Sequence, residues 1–127
     1  MSQSPIMAVL LNGIAQLEYD RRKTLTEKQM DYLDQMDEKM DGGIEIAGKL
    51  LDSPDAMARV KFVSSNLLHA IKGDDEVGAA AFCAYIATRM PELKQVKITD
   101  LNDEVSIELV FDQEYRKQVT VSLDTLQ

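Results

Sequence analysis

The segment from Asp37 to Gly48, DEKMDGGIEIAG, sets two carboxylates four residues apart in front of a glycine pair. That order suggests a calcium loop. Such a loop takes oxygen ligands at its first, third, fifth and twelfth positions and glycine at its sixth. Counted from Asp37, Asp41 and Gly42 fall into place. Lys39 then stands where the third ligand belongs, and Gly48 where a bidentate glutamate belongs. The segment therefore reads as an acidic helix stopped by Gly42 and Gly43.

Other reactive residue types are too sparse to form a set. The chain has one histidine, His69, and one cysteine, Cys83. A di-metal bundle needs Glu-x-x-His pairs on facing helices, and zinc needs a Cys/His cluster. No glycine-rich loop follows a strand in the manner of nucleotide-binding motifs. Cys83 lies in an uncharged stretch, where a thiol packs as a small hydrophobe. Ser64, Ser65 and His69 share a segment without the geometry of a nucleophile elbow. No metal, no cofactor and no catalytic residue is assigned.

What remains is surface chemistry. The formal net charge is −8, which disfavours nucleic acid and anionic membranes as partners. Nine acids against three lysines fall between Glu27 and Asp55. At helical period Asp31, Asp34, Glu38 and Asp41 form one acidic stripe, opposite Met30, Leu33, Met36 and Met40. Asp37 lies at the edge of the apolar side. A second stripe combines Arg59, Phe62, Asn66 and His69, the residue mix of an interface anchor. The competing reading places Phe62 against the core.

The elements that must carry these residues follow from local signals. Ser4 and Pro5 open a segment with Ile6, Leu10, Ile14 and Leu17 at helical spacing, which favours a helix. Asn12-Gly13 inside it is a competing hairpin signal. Thr26 and Gln29 form a capping box, with Leu25 and Met30 placed as a staple. That helix runs to Asp41, and a short helical piece follows from Ile44 to Leu51. Ser53 and Pro54 start a helix that ends at Gly73. Asp75 to Met90 forms the next, closed by Pro91 and uncharged between Val77 and Ile86, as a buried helix is.

After Pro91 the period changes to two. Val96 and Ile98, then Val105, Ile107, Leu109 and Phe111, then Val119, Val121 and Leu123, alternate with polar residues. Short turns at 101–104 and 112–117 make neighbouring strands antiparallel. The expected architecture is a single α+β domain over 1–127. About four helices, within 4–90, pack on a three-stranded antiparallel meander within 93–124.

The expected function is that of a non-enzymatic cytosolic accessory protein acting on another, basic protein. The lone cysteine suits a reducing compartment, and no signal peptide is read at the N-terminus. No apolar run has the length to span a bilayer. The alternatives are a small-molecule binder or enzyme with a pocket between helices and sheet, and an acidic mimic of nucleic acid. A two-fold homodimer would cover the Phe62 stripe. Phe62→Ala separates the two readings of that residue. As an interface anchor it weakens self-association by roughly 2 kcal/mol with the fold intact. As a core residue it lowers folding stability by about 3–5 kcal/mol. Light scattering and thermal melts report which.

Overall fold

The structure is a computed structural model and describes residues 5–46 and 48–115. They form β1 (Ile6–Leu11), β2 (Ile14–Asp20), α1 (Glu27–Asp41), β3 (Ile44–Ile46), β4 (Lys49–Leu51), α2 (Ala56–Lys72), α3 (Glu76–Arg89), β5 (Gln95–Leu101) and β6 (Glu104–Val110). The class is α+β. The expected four helices on a three-stranded meander are replaced by three helices, a four-stranded mixed sheet and a separate two-stranded hairpin.

The first correction is at the N-terminus. Residues expected as a helix are the β1–β2 hairpin, turned at Asn12 (φ 52) and Gly13 (φ 82). The Asn-Gly signal prevailed because both residues tolerate the left-handed backbone of a tight turn. The misleading helical spacing has a physical origin. β1 is a central strand, antiparallel to β2 on one side and parallel to β5 on the other. Met7, Ala8, Val9 and Leu10 are all buried, so both faces of the strand are apolar and its alternation disappears.

The second correction is the segment Ile44–Leu51, which forms the antiparallel pair β3 and β4. Gly43 (φ 114) and Gly48 (φ 79) take backbone angles that a helix forbids. A Cβ on Gly43 would also stand 3.2 Å from the Leu51 carbonyl oxygen. The third concerns the meander. β5 and β6 form the expected hairpin, with Asn102 and Asp103 both left-handed at its turn. The strand beside β5 is β1, giving the order β2-β1-β5-β6. The strand expected at Val119, Val121 and Leu123 lies outside the described residues.

One sheet face carries Met7, Val9, Val96 and Ile98 into the main core. That core also takes Val60, Val63 and Leu67 from α2, and Ala79, Cys83 and Ile86 from α3. The helices start and stop where local chemistry directs. Thr26 and Gln29 make the reciprocal capping box of α1, and Gly42 ends it. Asp55, not Ser53, caps α2, its carboxylate accepting from the Ala58 amide at 2.8 Å. A carboxylate there satisfies an orphan amide and also meets the positive end of the helix. Asp75 caps α3 in the same way.

Two side chains join distant parts of the frame. Arg21, just after β2, donates to the carbonyls of Ala87, Met90 and Leu93 at 3.4, 3.2 and 2.6 Å. It thereby closes the C-terminal end of α3, where carbonyls lack helical partners. Asn12 accepts from the Asp100 amide at 2.9 Å and donates to the Asp100 carbonyl at 3.3 Å. Its amide thus extends the β1–β5 pairing past the end of the strand. Asn12→Gly, which keeps the turn and removes this bridge, is expected to cost about 1 kcal/mol. Asn12→Ala adds the left-handed penalty and should cost about 2 kcal/mol or more in urea unfolding.

Candidate functional site

The apolar face of α1 contributes Leu33 and Met40 to the core, and Met36 packs against it. Asp37 shares that side of the helix and is only partly exposed. An ionised group there requires partners, and α2 and α3 supply them. Asp37 Oδ1 accepts from the Tyr85 hydroxyl at 2.5 Å and from Arg59 Nη1 at 3.2 Å. Its Oδ2 accepts from Arg89 Nε at 2.8 Å. Arg59 Nη1 also donates to the Asp37 carbonyl at 3.1 Å.

The arginines carry the network outward. Arg59 Nη2 reaches Asp41 Oδ1 at 2.6 Å, and Arg89 Nη2 reaches Asp34 Oδ1 at 2.8 Å. Arg89 also lies over the Tyr85 ring, 5.7 Å from its centroid. Three carboxylates and two guanidiniums therefore join three helices. Burial works against ionisation of Asp37. The Tyr85 hydroxyl, the charge of Arg89 and hydrogen bonds from both arginines outweigh it and hold the carboxyl below its ordinary range. Burial, and donation to that carboxylate, push the Tyr85 hydroxyl up. The cluster ties the three helices together through Asp37.

The cluster ties down the second half of α1. Alongside its first half a groove of about 1190 Å³ remains open. One wall is Lys28, Asp31, Tyr32 and Gln35 of α1; the other is Val77, Ala80, Ala81 and Ala84 of α3. Each wall follows the i, i+3, i+4, i+7 spacing of one helix face. Tyr19 of β2 and Leu25 also line it. Val77 is 83% exposed and Tyr32 48%. The alanines leave the α3 wall low, so an occupant could approach its backbone closely.

The residues expected to act on the surface are distributed otherwise. Asp34 and Asp41 of the acidic stripe are paired with Arg89 and Arg59, Asp31 lines the groove, and Glu38 is exposed. In the second stripe Arg59 belongs to the Asp37 cluster and Phe62 packs against the core. Asn66 is half-buried and His69 is exposed. His69 does not line the groove. Burial pushes the Cys83 thiol up to about 12, which leaves it unreactive. The stretch resembling a calcium loop begins inside α1, with Asp37 engaged by Tyr85, Arg59 and Arg89. Among the described residues no three His, Cys, Asp or Glu side chains are grouped to hold a metal ion.

Nothing in the local sequence pairs Tyr85 or Arg89 with Asp37. The signal that could have led to them is Asp37 itself, a carboxylate on an apolar helix edge that demands a cation and a donor. No family model matches the chain, and no curated protein or solved structure is significantly similar to it.

The depressed Asp37 value fixes a pH window. Its contribution to stability is complete above the unfolded carboxylate value of about 4 and is lost as pH falls through the lower folded value. Asp37→Asn should be less stable than the parent by roughly 2 kcal/mol at neutral pH, because two arginines lose their shared acceptor. Urea unfolding over a pH series should show the two proteins converging below about pH 4. Parallel curves would dismiss the linkage.

Proposed function

We propose that this chain is a non-enzymatic accessory protein of the cytosol that binds a segment of another protein in the groove between α1 and α3. The observation that carries this reading is an open trough between two helix faces, with Val77, Ala80, Ala81 and Ala84 as an apolar α3 wall and Lys28, Asp31 and Gln35, beside Tyr32, as a polar α1 wall. At about 1190 Å³ it exceeds the roughly 300–1,000 Å³ of pockets that enclose small ligands. Its open side suits an extended occupant. Walls spaced as helix faces suit a third helix that lays an apolar stripe on Val77, Ala80, Ala81 and Ala84 and turns polar residues toward α1. A net charge of −8 favours a partner with basic flanks.

Several features support this over catalysis. The most strongly hydrogen-bonded carboxylate, Asp37, is fully engaged in joining helices. The one thiol is buried, and His69 lies apart from the groove. Among the described residues no helix is long and apolar enough to cross a membrane, and a buried free cysteine accords with a reducing compartment.

Val77 offers a clean test because it is exposed at the mouth and contributes little to the fold. Val77→Asp is expected to unfold within about 0.5 kcal/mol of the parent. It should recover a partner from native lysate roughly tenfold less well, as loss of one interface anchor implies. Equal recovery by the variant and the parent would place the partner surface elsewhere. Turnover of a metabolite by the purified protein would reject the accessory reading outright.

A further inference from the structure

Side chains along a strand alternate between the two faces of a sheet. In β1 Met7 and Val9 join the core beneath the helices, so Ala8 and Leu10 point to the opposite face. In β5 Val96 and Ile98 join that core, so Gln95 and Lys97 point away from it. The register then sets Val110, Gln95, Ala8 and Glu18 in one row across all four strands. Leu10 and Lys97 stand in the next row. Ala8 is 0% exposed, Gln95 4%, Val110 7% and Leu10 8%. Further along the same face Thr99, Leu101 and Ser106 are exposed. Ala8, Leu10 and Val110 lie outside the core cluster that takes the apolar residues of α1, α2, α3 and β3. Something other than the helices therefore covers one end of this face.

The chain leaving β6 leads onto that covered end. Gln95 Nε2 donates to the Gln113 carbonyl at 2.8 Å, and Lys94 Nζ stands 3.9 Å from Glu114 Oε1. The backbone therefore turns from Val110 back over β5, on the side of Ala8 and Leu10. Twelve residues follow Tyr115, RKQVTVSLDTLQ. Extended chain advances about 3.3 Å per residue, so their reach exceeds the roughly 14 Å between the outer strands. Val119, Val121 and Leu123 alternate with Gln118, Thr120 and Ser122, the pattern of a segment with one apolar side. Arg116 and Lys117 precede them, and Glu18 stands at the far end of the row as an opposite charge.

We propose that this face is a docking surface whose occupant is the chain's own segment 116–127, with Val119, Val121 and Leu123 turned toward Ala8, Leu10 and Val110. An occupant with one apolar side matches a face whose covered end is apolar apart from Gln95, and the Gln95 amide is already engaged by Gln113. Burial of the second sheet face is thus completed within one chain. The surface is separate from the groove between α1 and α3, and the inference does not depend on that groove.

Thiol alkylation of the full chain by iodoacetamide, read by mass spectrometry, tests this. Cys83 stays buried in the main core and serves as the internal standard. Leu10→Cys is expected to react at least about tenfold more slowly than Thr99→Cys, which lies on the exposed part of the same face. Adding Val119→Asp with Val121→Asp should raise the Leu10→Cys rate about tenfold, whereas Thr120→Asp should leave it unchanged. Lys97→Cys, half-buried beside Leu10, repeats the comparison without altering a buried residue. Should the double change unfold the chain, which reaction of Cys83 would reveal, Val121→Ser makes the same comparison more mildly. A Leu10→Cys thiol as reactive as that of Thr99→Cys, or one whose protection ignores the valine changes, overturns the proposal. So does Thr120→Asp acting as strongly as they do. Protection that fades on dilution, with sedimentation showing a dimer, assigns the cover to a second copy and also overturns it.

Discussion

The Asp37 carboxylate is the point at which the three helices meet. It accepts from Tyr85 and Arg89 of α3 and from Arg59 of α2, and so holds α1 to an otherwise complete pair of helices. A carboxylate on the apolar side of a helix would cost several kcal/mol if left bare, and here it is matched by two cations and a hydroxyl. The α1 wall of the groove is thus held by this ionic contact together with packing along the helix. Leu33, Met36 and Met40 add burial, but the polar ties that select an orientation all converge on this cluster.

The frame beneath it is built on different physics. β1 lies inside the sheet with a hydrogen-bonded neighbour on each side, one antiparallel and one parallel. The parallel neighbour, β5, is supplied from the far end of the chain, and the intervening α2 and α3 cover the face that Met7, Val9, Val96 and Ile98 present. Arg21 and Asn12 secure the seams where strands hand over to helix ends and turns. On this base α1 is held by the Asp37 cluster and by Leu33 and Met40 in the core.

This division gives the acidic character of the chain two separate meanings. Asp34, Asp37 and Asp41 are matched within the chain to Arg59 and Arg89, with Asp34 and Asp41 still largely exposed. Asp31 lines the groove, and Glu38 is exposed. A stripe that looks uniform in composition is therefore partly structure and partly surface. The same holds for Arg59, which belongs by spacing with Phe62 and His69 but by contact with the carboxylates of α1.

Sequence alone determined what short-range chemistry controls. The Thr26–Gln29 capping box, the stop at Gly42, the limits of α3 and the β5–β6 hairpin turn all depend on residues within a few positions of one another, and all were legible. So was the position of Asp37 on the edge of the apolar face. The tertiary structure decided what depends on distant neighbours. β1 reads as a helix because burial on both faces erases its alternation, and only pairing with β5 supplies that burial. Ile44–Leu51 is too short for its period to speak, and the positive φ of Gly43 and Gly48 settles it as a hairpin. The partners of Asp37 lie 22, 48 and 52 residues away, beyond the reach of any local pattern. The groove, too, exists only because two helices remote in sequence are set side by side and joined at one end.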